Sequence, residues 1–224
     1  MNHQQVENHL SDLNLDMKKL DYQERIRFVF DWFGGDDILI STSLGSTSAI
    51  LLHLISQVAP SHPIYMVDTG YLFDETLKYR DLMQKKLGVN IRCMHPSINK
   101  HLFTNEGKSW DFNSDLCCFA NKIEPMNRLK KGKKLWISGV LAFQNSNRKN
   151  MRVFEKSGVL YKFHPIIDMK KEEVSLYHEL FDLPINPLYY QGYGSIGCTH
   201  CTSKGEGREG RWFNSNKSEC GLHL

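Results

Sequence analysis

The stretch ILISTSLGSTSAILLHLISQV, residues 38–58, decides the fold because its hydrophobic pattern changes in the middle. It begins with a short apolar run, which is typical of a buried strand. Its second half has apolar residues at helical spacing, and Ser46 or Thr47 is a suitable N-cap for that helix. The stretch therefore predicts a strand, the loop SLGSTS (43–48) and a helix in direct succession.

The same alternation continues along the chain. Strands are predicted at residues 63–68, 90–94 and 134–139, and helices at 21–33, 74–88 and 170–181. Alternating elements of this kind predict an α/β fold with a mostly parallel sheet flanked by helices. From Leu183 onward the pattern fades into residues typical of irregular structure. We expect one α/β domain over residues 1–205 and a mobile C-terminal tail over residues 206–224.

The composition is that of a globular domain with a small net charge. The chain has 224 residues, of which 41% are hydrophobic and 24% charged, which is ordinary for a soluble protein. Its 28 lysines and arginines against 25 acidic residues give a net charge of +3, too small to predict a nucleic-acid partner. No segment resembles a signal peptide or approaches the roughly 20 apolar residues of a membrane span. We expect a cytoplasmic protein that binds neither membrane nor nucleic acid.

Two loops that follow predicted strands carry groups suited to a nucleotide. In SLGSTS, Gly45 lets backbone N–H groups approach an anion, and Ser43 and Ser46 offer hydroxyl donors. In VDTGY (67–71), Asp68 is able to accept a hydrogen bond from a ribose hydroxyl or a base amine. Ligands of open parallel sheets bind at this edge of the sheet. A capped strand-to-helix turn and a plain Asp-Thr-Gly turn are the alternative interpretations.

Four of the cysteines form two pairs that are far apart in sequence. Cys117 and Cys118 are adjacent, and a disulfide between neighbours is strained because bridged Cα atoms usually lie roughly 5.5 to 6 Å apart. Cys198 and Cys201 form a later Cys-x-x-Cys motif. Four thiolates suit a tetrahedral zinc ion or a four-iron cluster, and Cys-x-x-Cys alone also suits a redox dithiol. The residues leave these three interpretations open.

The two remaining cysteines have different surroundings. Cys93 lies in a predicted strand, which favours a buried hydrophobic role. Cys220 lies near the chain end, with Lys217 and His223 close in sequence. Nearby cations and exposure favour a reactive thiolate, so Cys220 is the candidate nucleophile.

Together these motifs resemble the assimilatory sulfonucleotide reductases, which reduce adenylyl sulfate or phosphoadenylyl sulfate to sulfite with thioredoxin. The resemblance extends from about Ile38 to His223. It is carried by TSLG (42–45), VDTGYLFDET (67–76), CCFANK (117–122), YYQGYGSIGCTHCT (189–202), REGRW (208–212) and ECGLH (219–223). It implies an adenine nucleotide α-hydrolase-like fold with a modified phosphate loop. In the family, the cysteine pair with the later Cys-x-x-Cys marks the branch that carries a [4Fe–4S] cluster, which mostly takes adenylyl sulfate.

The resemblance also implies a role for individual residues. The cluster ligands would be Cys117, Cys118, Cys198 and Cys201, and the nucleophile would be Cys220. Substrate contacts are expected from Ser43, Gly45, Ser46, Asp68, Lys122, Arg148, Arg208, Arg211 and His223. The Lys122 ammonium would lie between the cluster and the substrate. The implied function is thioredoxin-dependent reduction of adenylyl sulfate in sulfate assimilation and cysteine biosynthesis, through a thiosulfonate on Cys220.

Several points stay open at this stage. The family usually has an arginine pair where this chain has Leu141 and Ala142, so the substrate is either adenylyl sulfate or its 3′-phosphorylated form. Arg148, Lys149 or Arg152 is placed to supply the missing charge. The reductant is thioredoxin or glutaredoxin, and association into a homo-oligomer is undecided.

Two other functions compete with the reductase. An ATP-dependent RNA thiolation enzyme shares the phosphate-loop fold, but SLGSTS lacks the aspartate and extra glycine of that class. A zinc-stabilised adenine-nucleotide binding module would leave Cys220 and the arginines of REGRW without a purpose.

Overall fold

A computed structural model describes residues 3–212, 217 and 219–222 of the chain. The strands are β1 Ile38–Ser41, β2 Pro63–Val67, β3 Asn90–Met94, β4 Leu135–Ser138, β5 Phe154–Ser157 and β6 Leu160–Phe163. They form one sheet in the order β3-β2-β1-β4-β6-β5. Every neighbouring pair is parallel except β5 and β6, which are antiparallel at one edge. The predicted α/β fold with a mostly parallel sheet is confirmed.

Helices connect the strands. The α-helices are α1 His3–Met17, α2 Tyr22–Trp32, α3 Ser48–Val58, α4 Asp74–Leu87, α5 Ile98–Glu106, α6 Ser109–Phe112, α7 Ser114–Cys118, α8 Glu124–Lys130, α9 Ser146–Lys149 and α10 Lys171–Leu180. The four helices predicted from sequence are α2, α3, α4 and α10, with bounds that differ by one or two residues. Within the described residues, no helix has the length and apolar character that crossing a membrane would require.

Local chemistry explains where two of these helices begin and end. At the start of α2, the Asp21 carboxylate accepts a hydrogen bond from the Glu24 backbone, and Glu24 accepts one from the Asp21 backbone, both at 2.8 Å. This reciprocal capping box satisfies two backbone donors that a helix start leaves unpaired. Helix α4 ends at Gly88, whose φ of +66° is the left-handed conformation that glycine adopts easily.

The two central strands are covered on both faces. All residues of β1 and β4 are buried, and alternate residues enter different clusters because successive side chains point to opposite faces. Ile38 and Ile40 pack in the main core with side chains of α2, α3 and α4. Leu39 and Trp136 form a smaller cluster on the other face, against which Leu222 from the end of the chain packs.

The segment between β3 and β4 contains short helices that hydrophobic periodicity did not reveal. A π-helical turn, Phe119–Ile123, joins α7 to α8, so the cysteine pair lies just before a change in helical geometry. Turns of this type are uncommon and often occur at functional sites.

A buried arginine ties the start of the chain to the loop before α10. The Arg25 guanidinium binds both carboxylate oxygens of Asp168, at 2.6 and 2.9 Å, and donates to the carbonyls of Met17 and Pro165 at 2.8 Å. Its side chain is only 4% exposed.

Replacing this arginine should therefore cost stability. We expect Arg25→Met to lower the free energy of unfolding by about 3 kcal/mol, because it leaves a carboxylate and two carbonyls without their partner. The matched control is Lys19→Met, whose ion pair with Asp16 lies on the surface and should contribute less than about 1 kcal/mol. Urea denaturation measures both; equal losses in the two variants would contradict the prediction.

Candidate functional site

A cavity of about 990 Å³, here called the main cavity, lies beyond the carboxyl ends of β1, β2 and β4. Ligands of open α/β sheets bind at this edge. The residues that line it include Ser43, Gly45 and Ser46 after β1, Met66 and Val67 of β2, Ser138 and Gly139 at the end of β4, Gly194–Gly197, Arg208, Arg211 and Cys220. Loops from three parallel strands and the C-terminal part of the chain therefore meet in one place.

The loop after β1 has a constrained backbone. Leu44 is fully buried and has a φ of +52°, a conformation that non-glycine residues seldom adopt. The buried Asn186 side chain donates a hydrogen bond of 2.9 Å to the Leu44 carbonyl. Leu44 is buried, whereas its neighbours Ser43 and Gly45 line the main cavity. Strained residues of this kind persist where the surrounding structure holds them.

Helix α3 starts at this loop without a side-chain cap. Thr47 precedes the helix, and its hydroxyl accepts from Gln144 at 3.4 Å rather than from the first turn of α3. The N–H groups at a helix start carry a partial positive charge and attract anions. This end of α3 is therefore suited to a phosphate-type group.

Asp68 has a different position from these loop residues. Its carboxylate accepts a hydrogen bond from the Gly70 backbone at 3.0 Å and lies 4.0 Å from the His95 ring. Gly70 has a φ of +76°, so Asp68 stabilises the turn after β2. Asp68 is not one of the described residues that line the main cavity, and its predicted contact with substrate stays a prediction.

The four paired cysteines line a second, smaller cavity, here called the cysteine cavity. Cys117, Cys118, Cys198 and Cys201 surround it together with Thr69, Tyr71, Trp110, Asn121, Lys122, His200, Arg211 and Trp212. The Thr69 hydroxyl lies 3.3 Å from the Cys198 sulfur, and the Asn121 amide donates to the Cys117 sulfur at 3.7 Å. The indole of Trp110 stacks on the His200 ring at 4.0 Å. Residues far apart in sequence thus form one sulfur-rich site.

Burial dominates the chemistry of these thiols. Burial, together with the charges of the neighbouring cysteines, raises the pKa of Cys117 to about 12 and that of Cys201 to about 11. Burial also raises the pKa of Cys118, although Lys122 and Lys217 oppose it. All six cysteines are free thiols. Among the described residues, no three His, Cys, Asp or Glu side chains converge as the ligands of one metal ion do.

Three residues separate the cysteine cavity from the main cavity. Lys122, Arg211 and Trp212 line both of them. Burial lowers the pKa of Lys122, but the nearby Cys198, Cys220 and Cys118 outweigh it and leave the pKa above its ordinary value. The Arg211 guanidinium lies 4.3 Å from the Trp212 ring and donates to the Cys201 carbonyl at 3.2 Å. Cationic groups therefore lie between the two sites.

Gly197 makes room for one of these cations. A Cβ atom at this position would overlap the Arg211 guanidinium, including its carbon at 2.5 Å. Gly197, the second glycine of GSIGC (194–198), therefore lets the Arg211 guanidinium approach the backbone closely, which a residue with a Cβ atom would prevent.

The C-terminal segment brings Cys220 to the main cavity. Leu222 packs against the smaller core cluster, and Lys217 forms an ion pair of 2.6 Å with Asp115. Glu219 is buried and binds Arg148 at 2.7 Å and Arg208 at 3.1 Å. Burial, with smaller effects of Arg148 and Arg211, lowers the pKa of Arg208 to about 10 although Glu219 opposes this shift. His223 lies outside the described residues.

The residues that replace the usual arginine pair do not face the main cavity. Leu141 is fully buried and packs in the main core, with Ala142 against it. Of the three arginines and lysines proposed to compensate, Arg148 lines the main cavity, whereas Lys149 and Arg152 are exposed. Of these three, Arg148 is therefore the one that the structure places at the main cavity, where it binds Glu219.

Sequence reasoning missed several residues of the site. Asn186, Glu219, Trp110 and His200 were not singled out, although Asn186 and Glu219 are polar side chains that the fold buries. Their positions in NPLYY and ECGLH, next to residues of the quoted motifs, were the available signal.

Comparisons with known proteins show which family this chain is similar to. Residues 37–204 match the family model described as the phosphoadenosine phosphosulfate reductase domain. The chain is 32% identical over 198 residues to an adenosine 5′-phosphosulfate reductase of Salinibacter ruber, covering 84% of this chain and 79% of that protein. It is 32% identical over 228 residues to a phosphoadenosine 5′-phosphosulfate reductase of Zymomonas mobilis, covering 96% of this chain and 91% of that protein.

A solved structure shows the same similarity in three dimensions. The phosphoadenylyl-sulfate reductase of Candida auris, crystallised as a phosphate complex, superposes with a TM-score of 0.76 and 25% identity. The match covers 88% of this chain and 97% of that chain. Similar proteins are therefore named for both sulfonucleotides, with and without the 3′-phosphate.

Proposed function

Because the chain belongs to the phosphoadenosine phosphosulfate reductase family, we propose that it reduces adenosine 5′-phosphosulfate, also called adenylyl sulfate, to sulfite and adenosine monophosphate. Sulfonucleotide reduction follows from the family, which excludes the RNA thiolation enzyme and the inert nucleotide-binding module. One observation carries the proposed chemistry: Cys220 lines the same cavity as the loop after β1, and it is near enough to Cys118 of the cysteine cavity to raise the pKa of that thiol.

The main cavity offers separate groups to each part of the substrate. The loop of Ser43, Gly45 and Ser46 and the uncapped start of α3 suit one anionic portion of the nucleotide. Arg208 and Arg211 line the same cavity as Cys220, and Cys220 is near enough to Arg208 to influence the pKa of that guanidinium. Cations fixed around the phosphosulfate stabilise the charge that moves onto the leaving phosphate.

The first chemical step is a thiolate attack. The Cys220 thiolate forms a bond to the sulfuryl sulfur, and the bond between that sulfur and the phosphate oxygen breaks. Adenosine monophosphate leaves with the electron pair, and Cys220 carries a thiosulfonate. A covalent intermediate of this type divides a difficult transfer into two easier steps.

The second step needs a dithiol reductant, for which we propose thioredoxin or glutaredoxin. One thiolate of the reductant attacks the Cys220 sulfur, and sulfite leaves with the electron pair of the sulfur–sulfur bond. The second thiol of the reductant then resolves the mixed disulfide. Cys220 returns as a thiolate, the dithiol is oxidised to a disulfide, and sulfur(VI) is reduced to sulfur(IV).

The residues of the cysteine cavity fit a [4Fe–4S] cluster, which we propose as the cofactor held by Cys117, Cys118, Cys198 and Cys201. Four free thiols surround one cavity, and both a four-iron cluster and a zinc ion are commonly held by four cysteines. The adjacent cysteine pair with the later Cys-x-x-Cys, which the sequence resemblance associates with the cluster, favours iron. When bound, such a cluster would supply a charged group beside Lys122 and Arg211.

Anaerobically purified protein should therefore be brown. Iron–thiolate charge transfer should give broad absorption near roughly 400 nm, and elemental analysis should find iron and acid-labile sulfide. The variant Cys198→Ser should lose the colour, whereas Cys93→Ser, on strand β3 outside the cysteine cavity, should keep it. Colourless wild-type protein with stoichiometric zinc would rule out the cluster.

The number of cations available in the main cavity bears on whether the substrate carries a 3′-phosphate. Its described lining contains Lys122, Arg148, Lys171, Arg208 and Arg211. Lys122 and Arg211 also line the cysteine cavity, and Arg148 and Arg208 bind Glu219. Lys171 alone remains among these for a 3′-phosphate. A phosphate with few cationic partners is costly to bury, which favours adenosine 5′-phosphosulfate.

The preference predicts unequal rates for the two sulfonucleotides. We expect kcat/KM for sulfite release with thioredoxin to be about 100-fold higher for adenosine 5′-phosphosulfate than for its 3′-phosphorylated form. Parallel assays of both substrates under one set of conditions measure the ratio. Equal values would overturn the substrate proposal while leaving sulfonucleotide reduction in place.

The nucleophile can be identified by mass. Incubation with substrate and without reductant should leave an adduct about 80 Da heavier on Cys220, as expected for a trapped sulfonate. Cys220→Ser should form no adduct and release no sulfite, because the attacking sulfur is gone, but should still bind adenosine monophosphate. An adduct on Cys93, or turnover by the serine variant, would show that another residue attacks the substrate.

A further inference from the structure

Glu219, the residue before Cys220, is a buried carboxylate bound on both oxygens. Only 5% of the residue is exposed. One carboxylate oxygen accepts from Arg148 Nε and from the Asn145 side chain, each at 2.7 Å. The other oxygen accepts from the Arg208 guanidinium at 3.1 Å. The residue next to the nucleophile is thus anchored to two cations.

The surroundings keep this carboxylate ionised. Burial raises the pKa of Glu219, but the charges of Arg148 and Arg208 and the hydrogen bonds from Arg148 and Asn145 outweigh burial and leave the pKa below its ordinary value. Each guanidinium in turn disfavours the other, since Arg148 is one of the groups that lower the pKa of Arg208. A negative charge between them relieves this repulsion. The three side chains are therefore a mutually dependent group.

The arginine partners have supports of their own. Arg148 lies in α9, whose first turn is capped by the Asn145 side chain, and it also donates to the Gln144 side chain. The Arg208 guanidinium lies 5.6 Å from the Trp212 ring. Both arginines, Glu219 and Cys220 line the main cavity. The two arginines that bind Glu219 are thus themselves held by contacts with other residues of the fold.

We propose that Glu219 is a positioning residue, which places Cys220 for attack by binding Arg148 and Arg208, two arginines that line the main cavity with it. Consecutive Cα atoms are about 3.8 Å apart, so fixing Glu219 leaves Cys220 little freedom. Glu219 then fixes the position of the Cys220 nucleophile relative to the two arginines. This inference rests on the proposed function, because it assigns a role in the same reaction.

Lys217 is a second polar anchor among the described residues of this segment. It binds Asp115 at 2.6 Å and donates to the Ser114 carbonyl at 3.2 Å, but the Asp115 side chain is 87% exposed. Exposed ion pairs contribute little, whereas a buried charge that loses its partner is strongly destabilising. Replacing Asp115 should therefore disturb the position of Cys220 less than replacing Glu219.

The test compares Glu219→Gln with Glu219→Asp. Glutamine is similar in size but presents an amide donor to one of the arginines, so it should loosen the segment without removing volume. We expect single-turnover formation of the Cys220 adduct to slow about 100-fold in Glu219→Gln, a loss typical of a misplaced reacting group. The dissociation constant of adenosine monophosphate should change less than about threefold, because the lost interaction is with the nucleophile segment. Glu219→Asp keeps the negative charge, so its rate of adduct formation should be at least about tenfold higher than that of Glu219→Gln.

A second measurement needs no chemistry on the substrate. Iodoacetamide labelling of Cys220, followed by peptide mapping, should be about tenfold faster in Glu219→Gln, because the loosened segment exposes the thiol. Glu179→Gln, the same change at an exposed position of α10, is the matched control and should behave as wild type. Asp115→Asn, which breaks the Lys217 ion pair, should change both rates less than about threefold.

Several outcomes would overturn the inference. They are an unchanged adduct rate or labelling rate in Glu219→Gln, an equal loss in Asp115→Asn, an aspartate variant no better than the glutamine variant, and weakened nucleotide binding that accounts for the lost rate. Failure of the proposed function looks different. In that case the wild-type protein itself would form no adduct with either sulfonucleotide, while the labelling experiment would still report whether Glu219 holds the segment.

Discussion

Parallel pairing of β1 with β2 and with β4 is the constraint on which the site depends. Ile40 of β1 is in register with Ile64 of β2 and with Ile137 of β4. Neighbouring parallel strands end at the same edge of a sheet, so the loops that follow these three strands must meet there. Burial of every residue of β1 and β4 prevents this edge from moving independently of the core. The main cavity is therefore a consequence of strand order.

The C-terminal part of the chain completes the site by crossing this edge. Isolated bridges pair Leu72 with Cys198 and Thr202 with Arg211. The first of these fixes the Cys-x-x-Cys motif beside the loop after β2, where Thr69 contacts the Cys198 sulfur. Arg211 of this segment then lies between the cysteine cavity and the main cavity. Arg208 of the same segment is instead paired with Arg148 of α9 through the buried carboxylate of Glu219, which relieves the repulsion between the two guanidinium groups.

Most of the long helices and central strands could be predicted, because each has a hydrophobic pattern within its own residues. The change from a short apolar run to helical spacing located β1 and α3, and the glycine after α4 located its end. The short helices around Cys117 and the antiparallel pair of β5 and β6 could not be predicted in this way. Helices of four or five residues show no clear period, and an antiparallel edge strand depends on a partner rather than on its own pattern.

The sequence by itself determined which chemical groups are present: two cysteine pairs, a cysteine near the chain end, a small polar loop after a strand, and a set of arginines. Only the tertiary structure decided how they combine. It placed Asp68 in a turn, buried Leu141 in the core, and paired Glu219 with Arg148, a residue 71 positions away. The physical reason is that burial and hydrogen-bond partners are properties of residues distant in sequence. No local pattern records which charge a buried carboxylate will meet once the chain has folded.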